Sequence, residues 1–298
     1  MYTEPQRVIV IGDLHGDFDA FKMCLRLARV INEREEWLDN QTAVVQLGDT
    51  LDGKRPGVSI YSEYRNHGGE REIIDMVNNF RRAGKNITLL IGNHELYFNY
   101  YDLEGYNKNI KKNFVKKSDD EERRYEYYRR GGKYARVIAD NRKLIHKIGK
   151  LLFIHGSLTD SMIQHGKNGD KVDIDKINET TSDWLRNSVA VTPKFLEYDD
   201  KDNPTLSRKY GNGMGYSRCR ELNKQLRMFD AEYLFIGHTP FEEVSAKCDN
   251  SLFRADVMLS RAFGKQLNSK KQVIEVLDPY ENPKISILSK ETLSKRES

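Results

Sequence analysis

Four of the seven histidines in this 298-residue chain, His15, His94, His155 and His238, each follow a short apolar run and stand beside a Gly or two residues after one. The other three, His67, His146 and His165, lack that setting. Asp13 lies two positions before His15, Asn93 directly precedes His94, and a further Gly-Asp pair, Gly48-Asp49, closes another apolar run. Side chains at i and i+2 of an extended segment point the same way, so Asp13 and His15 can face one ion. Together with Asp49 and Asn93, the four histidines make a mixed set of imidazole, carboxylate and amide donors suited to two divalent cations. No Cys belongs to the set, which argues against structural zinc; imidazole with hard oxygen donors suits Mn, Fe or catalytic Zn in an open site.

Such residues converge only if strands end at them. An apolar run at 8–11 reads as a buried strand that stops at Gly12-Asp13, and open α/β sheets hold ligands at the carboxyl ends of their strands. Phe18, Phe21, Leu25, Ala28 and Ile31 recur at helical spacing, predicting a helix over 17–32. A second strand at 43–47 delivers Gly48-Asp49-Thr50-Leu51-Asp52. Ile73, Ile74, Val77 and Phe80 then mark the helix that leads to a third strand at 87–91, ending in Gly92-Asn93-His94-Glu95. Strands at 151–154 and 233–236 bring His155-Gly156 and Gly237-His238-Thr239-Pro240. Helices are predicted at 174–187 and 217–229, an irregular connection at 191–216, and strands at 244–246, 252–257, 272–277 and 284–288.

With 38% hydrophobic and 32% charged residues the chain is that of a soluble globular protein, and 49 basic against 45 acidic residues give +4, too small a charge to argue for nucleic acid. The surplus is local: residues 108–136 hold eleven basic and five acidic side chains, enough to account for all of it. Such a stretch is either a solvated helical excursion with ion pairs at helical spacing or a docking face for an acidic or phosphorylated partner. Cys24, Cys219 and Cys248 form no CxxC and no even framework, so all three are expected to pack as thiols in a reducing, intracellular setting. The first residues do not read as a basic-then-apolar leader, and no run approaches the ~18 apolar residues of a membrane helix, so a cytoplasmic protein with no membrane partner is expected.

The order Gly-Asp-x-His, Gly-Asp-x-x-Asp, Gly-Asn-His-Glu, His-Gly and Gly-His-Thr-Pro, running from residue 12 to 240, resembles the calcineurin-like metallophosphoesterase superfamily. Gly-Asn-His-Glu and Gly-His-Thr-Pro narrow the likeness to its phosphoprotein phosphatase branch. The run Asp256-Val257-Met258-Leu259-Ser260-Arg261-Ala262-Phe263-Gly264 is similar to a C-terminal stretch of Shewanella-like protein phosphatases. The resemblance implies an α/β fold, a metallophosphoesterase-type central β-sandwich of mixed sheets flanked by helices. It implies one metallophosphatase domain over 1–288, with a charged helical insertion at 102–136 and a frayed tail at 289–298. Carried over by position, Asp13 and His15 bind a first metal, Asp49 bridges both, and Asn93, His155 and His238 complete the second. His94 then protonates the leaving group, and Asp52 orients its imidazole and favours the charged form. Two ions roughly 3.5–4 Å apart clamp phosphoryl oxygens and hold a hydroxide ready for in-line attack, so no protein nucleophile is required.

The departures matter as well. Relatives of this branch usually carry Asp-Arg-Gly after Gly-Asp-x-x, with the Arg gripping phosphate, whereas Asp52 is followed here by Gly53, Lys54 and Arg55. Ile91 stands where a second Arg usually precedes Gly-Asn-His. Arg55 and Arg208 are the candidates to hold phosphate in their place, and Glu95 reads as structural. The expected activity is that of a dinuclear phosphomonoester hydrolase acting on a phosphorylated protein or a small phosphoester. A nucleotide or dinucleotide polyphosphate hydrolase is the enzymatic alternative, since the metal site cannot distinguish esters presenting the same oxygens. A catalytically inactive scaffold that binds phosphorylated partners is a third reading. Many diesterases of the superfamily end in Gly-His-x-His, and Pro240 stands where that second His would be.

Overall fold

Arg7–Ile11 (β1) is apolar at four consecutive positions, a pattern that only a strand covered on both faces can bury. The computed structural model, which describes residues 4–52, 69–99, 126–263 and 270–292, puts β1 in the middle of a six-stranded sheet. Thr42–Gln46 (β2), Asn86–Leu90 (β3) and Arg142–Lys143 (β4) extend it on one side in parallel. On the other side Val273–Leu277 (β12) pairs antiparallel with β1, and Lys284–Leu288 (β13) forms the edge. The crossovers are made by Phe18–Leu27 (α1) and Glu70–Arg82 (α2), which lay Phe21, Leu25, Ile73, Val77 and Phe80 onto the sheet.

A second sheet of five strands stacks on the first. Its order is Ser245–Lys247 (β10), Leu252–Arg254 (β11), Tyr233–Ile236 (β9), Leu151–Ile154 (β6) and Ile145–Ile148 (β5). Alternation of side chains splits these strands between two cores. Leu151, Phe153, Phe235 and Phe253 join the core shared with the first sheet. Leu152, Ile154, Leu234, Ile236 and Leu252 lie instead with Trp184 and Leu185 of Ile174–Leu185 (α6) and Leu222 and Leu226 of Tyr216–Met228 (α7). Phe153, Phe235 and Phe253 stack as a ladder across three strands, with centroids 5.1 and 5.2 Å apart. Each buried aromatic of this kind contributes roughly 1.5–3 kcal/mol. The β-sandwich of mixed sheets flanked by helices is therefore the fold that the motifs imply.

Several boundaries differ from expectation for local reasons. The helix predicted to reach residue 32 stops at Leu27, because Arg29 turns left-handed (φ 50°) and Ile31 bridges to Trp37. The strand expected at 252–257 ends at Arg254, because the chain must cross Gly12, whose missing Cβ would lie 2.1 Å from the Ala255 carbonyl oxygen. Helices Lys133–Asn141 (α4) and Asp160–Gly166 (α5), strands β4 and β5, and the small hairpin of Lys167–Asn168 (β7) and Lys171–Val172 (β8) were not foreseen as separate elements. Short polar pieces carry too little periodicity to be read.

Residues 102–125 of the expected insertion, and 293–298 of the expected tail, fall outside the described residues. Within the remainder of the basic segment, Arg130 stacks on Trp184 (5.2 Å) and donates to the carbonyls of Trp184 and Val189, so this charge anchors the fold. No helix among the described residues is long and apolar enough to cross a membrane.

The cysteine expectation is corrected. Cys219 on α7 and Cys248 in the β10–β11 turn are disulfide-bonded, their Cα atoms 5.1 Å apart. The α7 helix runs back beside the hairpin, closing in space a separation of 29 residues that carries no local signature. Cys24 remains a thiol inside the core, where burial pushes its pKa up to about 12. Alkylation with iodoacetamide at pH 8, followed by mass spectrometry, should therefore label no cysteine in the native protein. One should react in denaturant, and three in denaturant with reductant. Two labels without reductant would contradict the bridge.

Candidate metal centre

The carboxyl ends of β1, β2, β3, β6 and β9 meet at one point between the sheets. There Asp13, His15, Asp49, Asn93, His94, His155 and His238 are all buried. Three of them, together with Asp52, take left-handed backbone conformations that are uncommon for residues with a Cβ: His15 (φ 42°), Asp49 (φ 52°), Asp52 (φ 63°) and His238 (φ 65°). Such conformations cost of order 1–3 kcal/mol each and persist only where surrounding bonds over-determine them.

At Asp49 those bonds come from Glu95. One α-turn, Asn93–Leu96 (α3), brings its carboxylate under the β2 and β3 turns. The carboxylate accepts from the backbone N–H of Asp49 (2.9 Å), Thr50 (2.9 Å), Leu51 (3.2 Å) and Gly92 (2.7 Å) and from the Thr50 hydroxyl (2.8 Å). Arg142 completes the knot with Nη1 3.0 Å from Glu95 and 2.5 Å from Thr50 Oγ1. The Asp49 carbonyl oxygen in turn accepts from the N–H of Leu14 and His15, joining the β1 turn to the β2 turn. Gly92 is required because a Cβ there would lie 2.2 Å from Asp49 Oδ1.

Ring orientations follow from second partners. His155 Nδ1 faces the Leu47 carbonyl oxygen (2.8 Å) and must donate to it, which directs Nε2 toward Asn93 Oδ1 (3.0 Å) and Asp49 Oδ1 (3.3 Å). His15 Nδ1 faces the Leu51 carbonyl oxygen (3.2 Å), and His238 Nε2 the Leu206 carbonyl oxygen (2.9 Å). His94 Nδ1 is 2.9 Å from Asp52 Oδ2. Carbonyl and carboxylate partners of this type fix both tautomer and ring angle in metal sites.

Two groups of converging donors result, His15 with Asp49 and His94, and Asp49 with His155 and His238. Asp49 belongs to both. Its Oδ2 is buried, makes no hydrogen bond among the described residues, and sits 3.9 Å from His15 Nε2 and 3.8 Å from His94 Nε2. A buried carboxylate oxygen left without a hydrogen donor amid imidazoles is what a cation would satisfy, and the donor set fits a divalent ion. Asp13 stands at the rim of the second group, accepting from His238 N–H at 3.2 Å and lying 4.0 Å from His155 Nδ1.

The charges respond accordingly. Burial alone would raise the Asp49 pKa, but His155, His94 and His15 outweigh it and hold the carboxyl well below its usual range. Burial likewise disfavours charge on His155, yet Asp49 and Asp13 prevail and raise its pKa. His238 is driven the other way, by burial first and then by His155 and Arg208.

Of the phosphate-holding candidates, Arg208 lies beside the centre, with Nη1 donating to the His238 carbonyl oxygen (2.8 Å) and Thr239 Oγ1 (3.1 Å). Arg55 falls outside the described residues. Ile91 is buried in the second core. The 256–263 stretch closes over the β1 turn: Phe263 meets the His15 ring edge-on at 5.6 Å, and Arg261 forks onto Asp17 at 2.9 Å. His146 and His165 lie apart, His146 near Phe153 and His165 bonded to Thr180.

Sequence reasoning missed two contributors. Arg142 has no local signal, since its partners are more than 45 residues away in the chain. Tyr97 could have been found, being four residues after Asn93 and hence on the same helical face; its hydroxyl oxygen accepts from Asn93 Nδ2 at 2.5 Å.

The chain is 27% identical over 266 residues to Shewanella-like protein phosphatase 1 of Plasmodium berghei (strain Anka), covering 85% of this chain and 67% of that one. It is 23% identical to Shewanella-like protein phosphatase 2 of Arabidopsis thaliana, over 87% and 73% of the two chains. Among solved structures, the cold-active protein-tyrosine phosphatase of a psychrophile Shewanella sp. shares the fold with a TM-score of 0.64 at 18% identity, over 97% of this chain and 82% of that one. Residues 6–241 match the calcineurin-like phosphoesterase family, and this span carries every strand end of the candidate centre; the chain belongs to that family.

Proposed function

We propose that this protein is a dinuclear metal-dependent phosphomonoesterase that acts on a phosphorylated protein. The observation that carries the reading is the sharing of Asp49 between two groups of donors. His15 would hold one divalent ion together with Asp13, whose carboxylate also borders the second group; Asn93, His155 and His238 would hold the other, and Asp49 both. Mn, Fe or Zn bound there would neutralise phosphoryl oxygens and acidify water. The protein-phosphatase relatives support a protein substrate.

The chain's own residues supply the rest. His94 presents Nε2 to the centre while Nδ1 donates to Asp52 at 2.9 Å, so the imidazole can carry a proton and pass it from Nε2 to the oxygen of the departing alcohol. Asp52 orients the ring and stabilises its charged form. Arg208, anchored through one amino group on the His238 carbonyl oxygen, directs its guanidinium toward an arriving phosphate, a group that Arg matches with paired donors. Glu95 and Arg142 hold the turns and take no part in proton transfer.

Chelation should abolish phosphopeptide hydrolysis and Mn should restore it. Because Asp49 and Asp13 favour protonated His155, ion uptake at pH 7 should release about one proton and should weaken as pH falls. Titration calorimetry in buffers of different ionisation enthalpy reads this, and full activity after complete metal removal would sink the dinuclear assignment. His94→Asn should slow phosphoserine-peptide hydrolysis by roughly 10²- to 10⁴-fold and nitrophenyl phosphate much less, since nitrophenolate leaves without a proton. Asp52→Asn should show the same bias more weakly; equal losses on both substrates with metals retained would mean that His94 binds phosphate instead. Arg208→Ala should lower kcat/KM by roughly 10- to 100-fold, as expected for one charged hydrogen-bonding partner, with little recovery in Arg208→Lys. An unchanged kcat/KM would remove Arg208 from the site.

A further inference from the structure

We infer that Tyr97 is a positioning residue for the metal centre, acting through Asn93; the inference rests on the reading of Asn93 as a ligand. A carboxamide has two ends of nearly equal shape, and only Oδ1 has lone pairs to give a cation. Asn93 is buried, with Oδ1 3.0 Å from His155 Nε2 on the side of the centre and Nδ2 2.5 Å from the Tyr97 hydroxyl on the other. Tyr97 follows the single turn of α3, so its side chain returns over residue 93 on the same face.

The hydroxyl by itself does not choose between the amide's ends, because it can accept from Nδ2 or donate to Oδ1. A cation does choose, since it rejects N–H₂. Tyr97 then matters in the productive orientation in two ways. It satisfies an amide N–H that would otherwise be buried with its partner gone, and by drawing on that N–H it polarises the amide and raises the basicity of Oδ1. The ring has a separate contact, meeting the His94 imidazole edge-on at 4.5 Å, and Tyr97→Phe preserves it.

The test compares one deletion in two backgrounds. In the Asn93 protein, Tyr97→Phe should weaken binding of the more weakly held Mn ion by roughly 10- to 100-fold, the range for residues that orient a ligand, read by competition with a chelating dye and by calorimetry. In Asn93→Asp there is no amide to orient, and the hydroxyl would instead donate to the carboxylate and drain its charge. Removing the hydroxyl there should leave Mn affinity unchanged or raise it. Thermal unfolding of the metal-free proteins checks that each variant folds. Equal weakening in both backgrounds would overturn the inference and make Tyr97 a packing residue only. Retention of both ions at full affinity in Asn93→Ala would overturn the ligand reading itself, an outcome separate from any result with Tyr97.

Discussion

The carboxylate of Glu95 is the constraint on which the centre depends. Two strands, β2 and β3, end in turns whose backbone N–H groups point inward, and inside a protein each such group needs an acceptor. One carboxylate answers four of them and a hydroxyl, while Arg142 answers the carboxylate. A buried charge in this position is costly to solvate by any other route, and removing either partner would leave the other uncompensated. The left-handed turn at Asp49, and hence the direction of its carboxylate, is held by a group that never reaches the metal side.

The surrounding imidazoles are aimed in the same way. Each imidazole is held at one nitrogen by an oxygen belonging to a strand end or loop, Leu47 for His155, Leu51 for His15, Leu206 for His238 and Asp52 for His94. Backbone carbonyls that leave the sheet ladder thus become the parts that aim the rings. Electrostatic opposition completes the arrangement: His155 and Asp49 each stabilise the charged form of the other, so the protein keeps a compact charge pair where a cation fits.

Much of this was legible in the chain. Buried parallel strands read as unbroken apolar runs, and a Gly with an Asp or His after such a run marks a strand end, so the places of Asp13, His15, Asp49, Asn93, His155 and His238 at strand ends could be anticipated, while the mixed sandwich was implied by the family resemblance of the motifs. Contacts between distant segments could not. Arg142 meets Glu95 because β4 adds two residues to the far side of β3, a pairing too short to leave a pattern. The Cys219–Cys248 bridge depends on how α7 folds back on the hairpin, which no local periodicity encodes. Helix α1 is shorter than its apolar spacing suggests, because Ile31 keeps the helical phase while serving a bridge to Trp37. A side chain can be in register with a helix without belonging to it.

That disulfide also divides the candidate metal centre unequally. The segment between Cys219 and Cys248 contains β9 and His238, whereas Asp13, His15, Asp49, Asn93, His94 and His155 all lie before it. Closing a loop of about thirty residues removes roughly 3–4 kcal/mol of chain entropy from the unfolded state in the polymer view. That constraint on the unfolded chain lowers the entropic cost of folding for the domain as a whole. Within the loop it closes, β9 pairs with β6, so oxidation bears on the two imidazoles, His238 and His155, that the second sheet brings to the cluster.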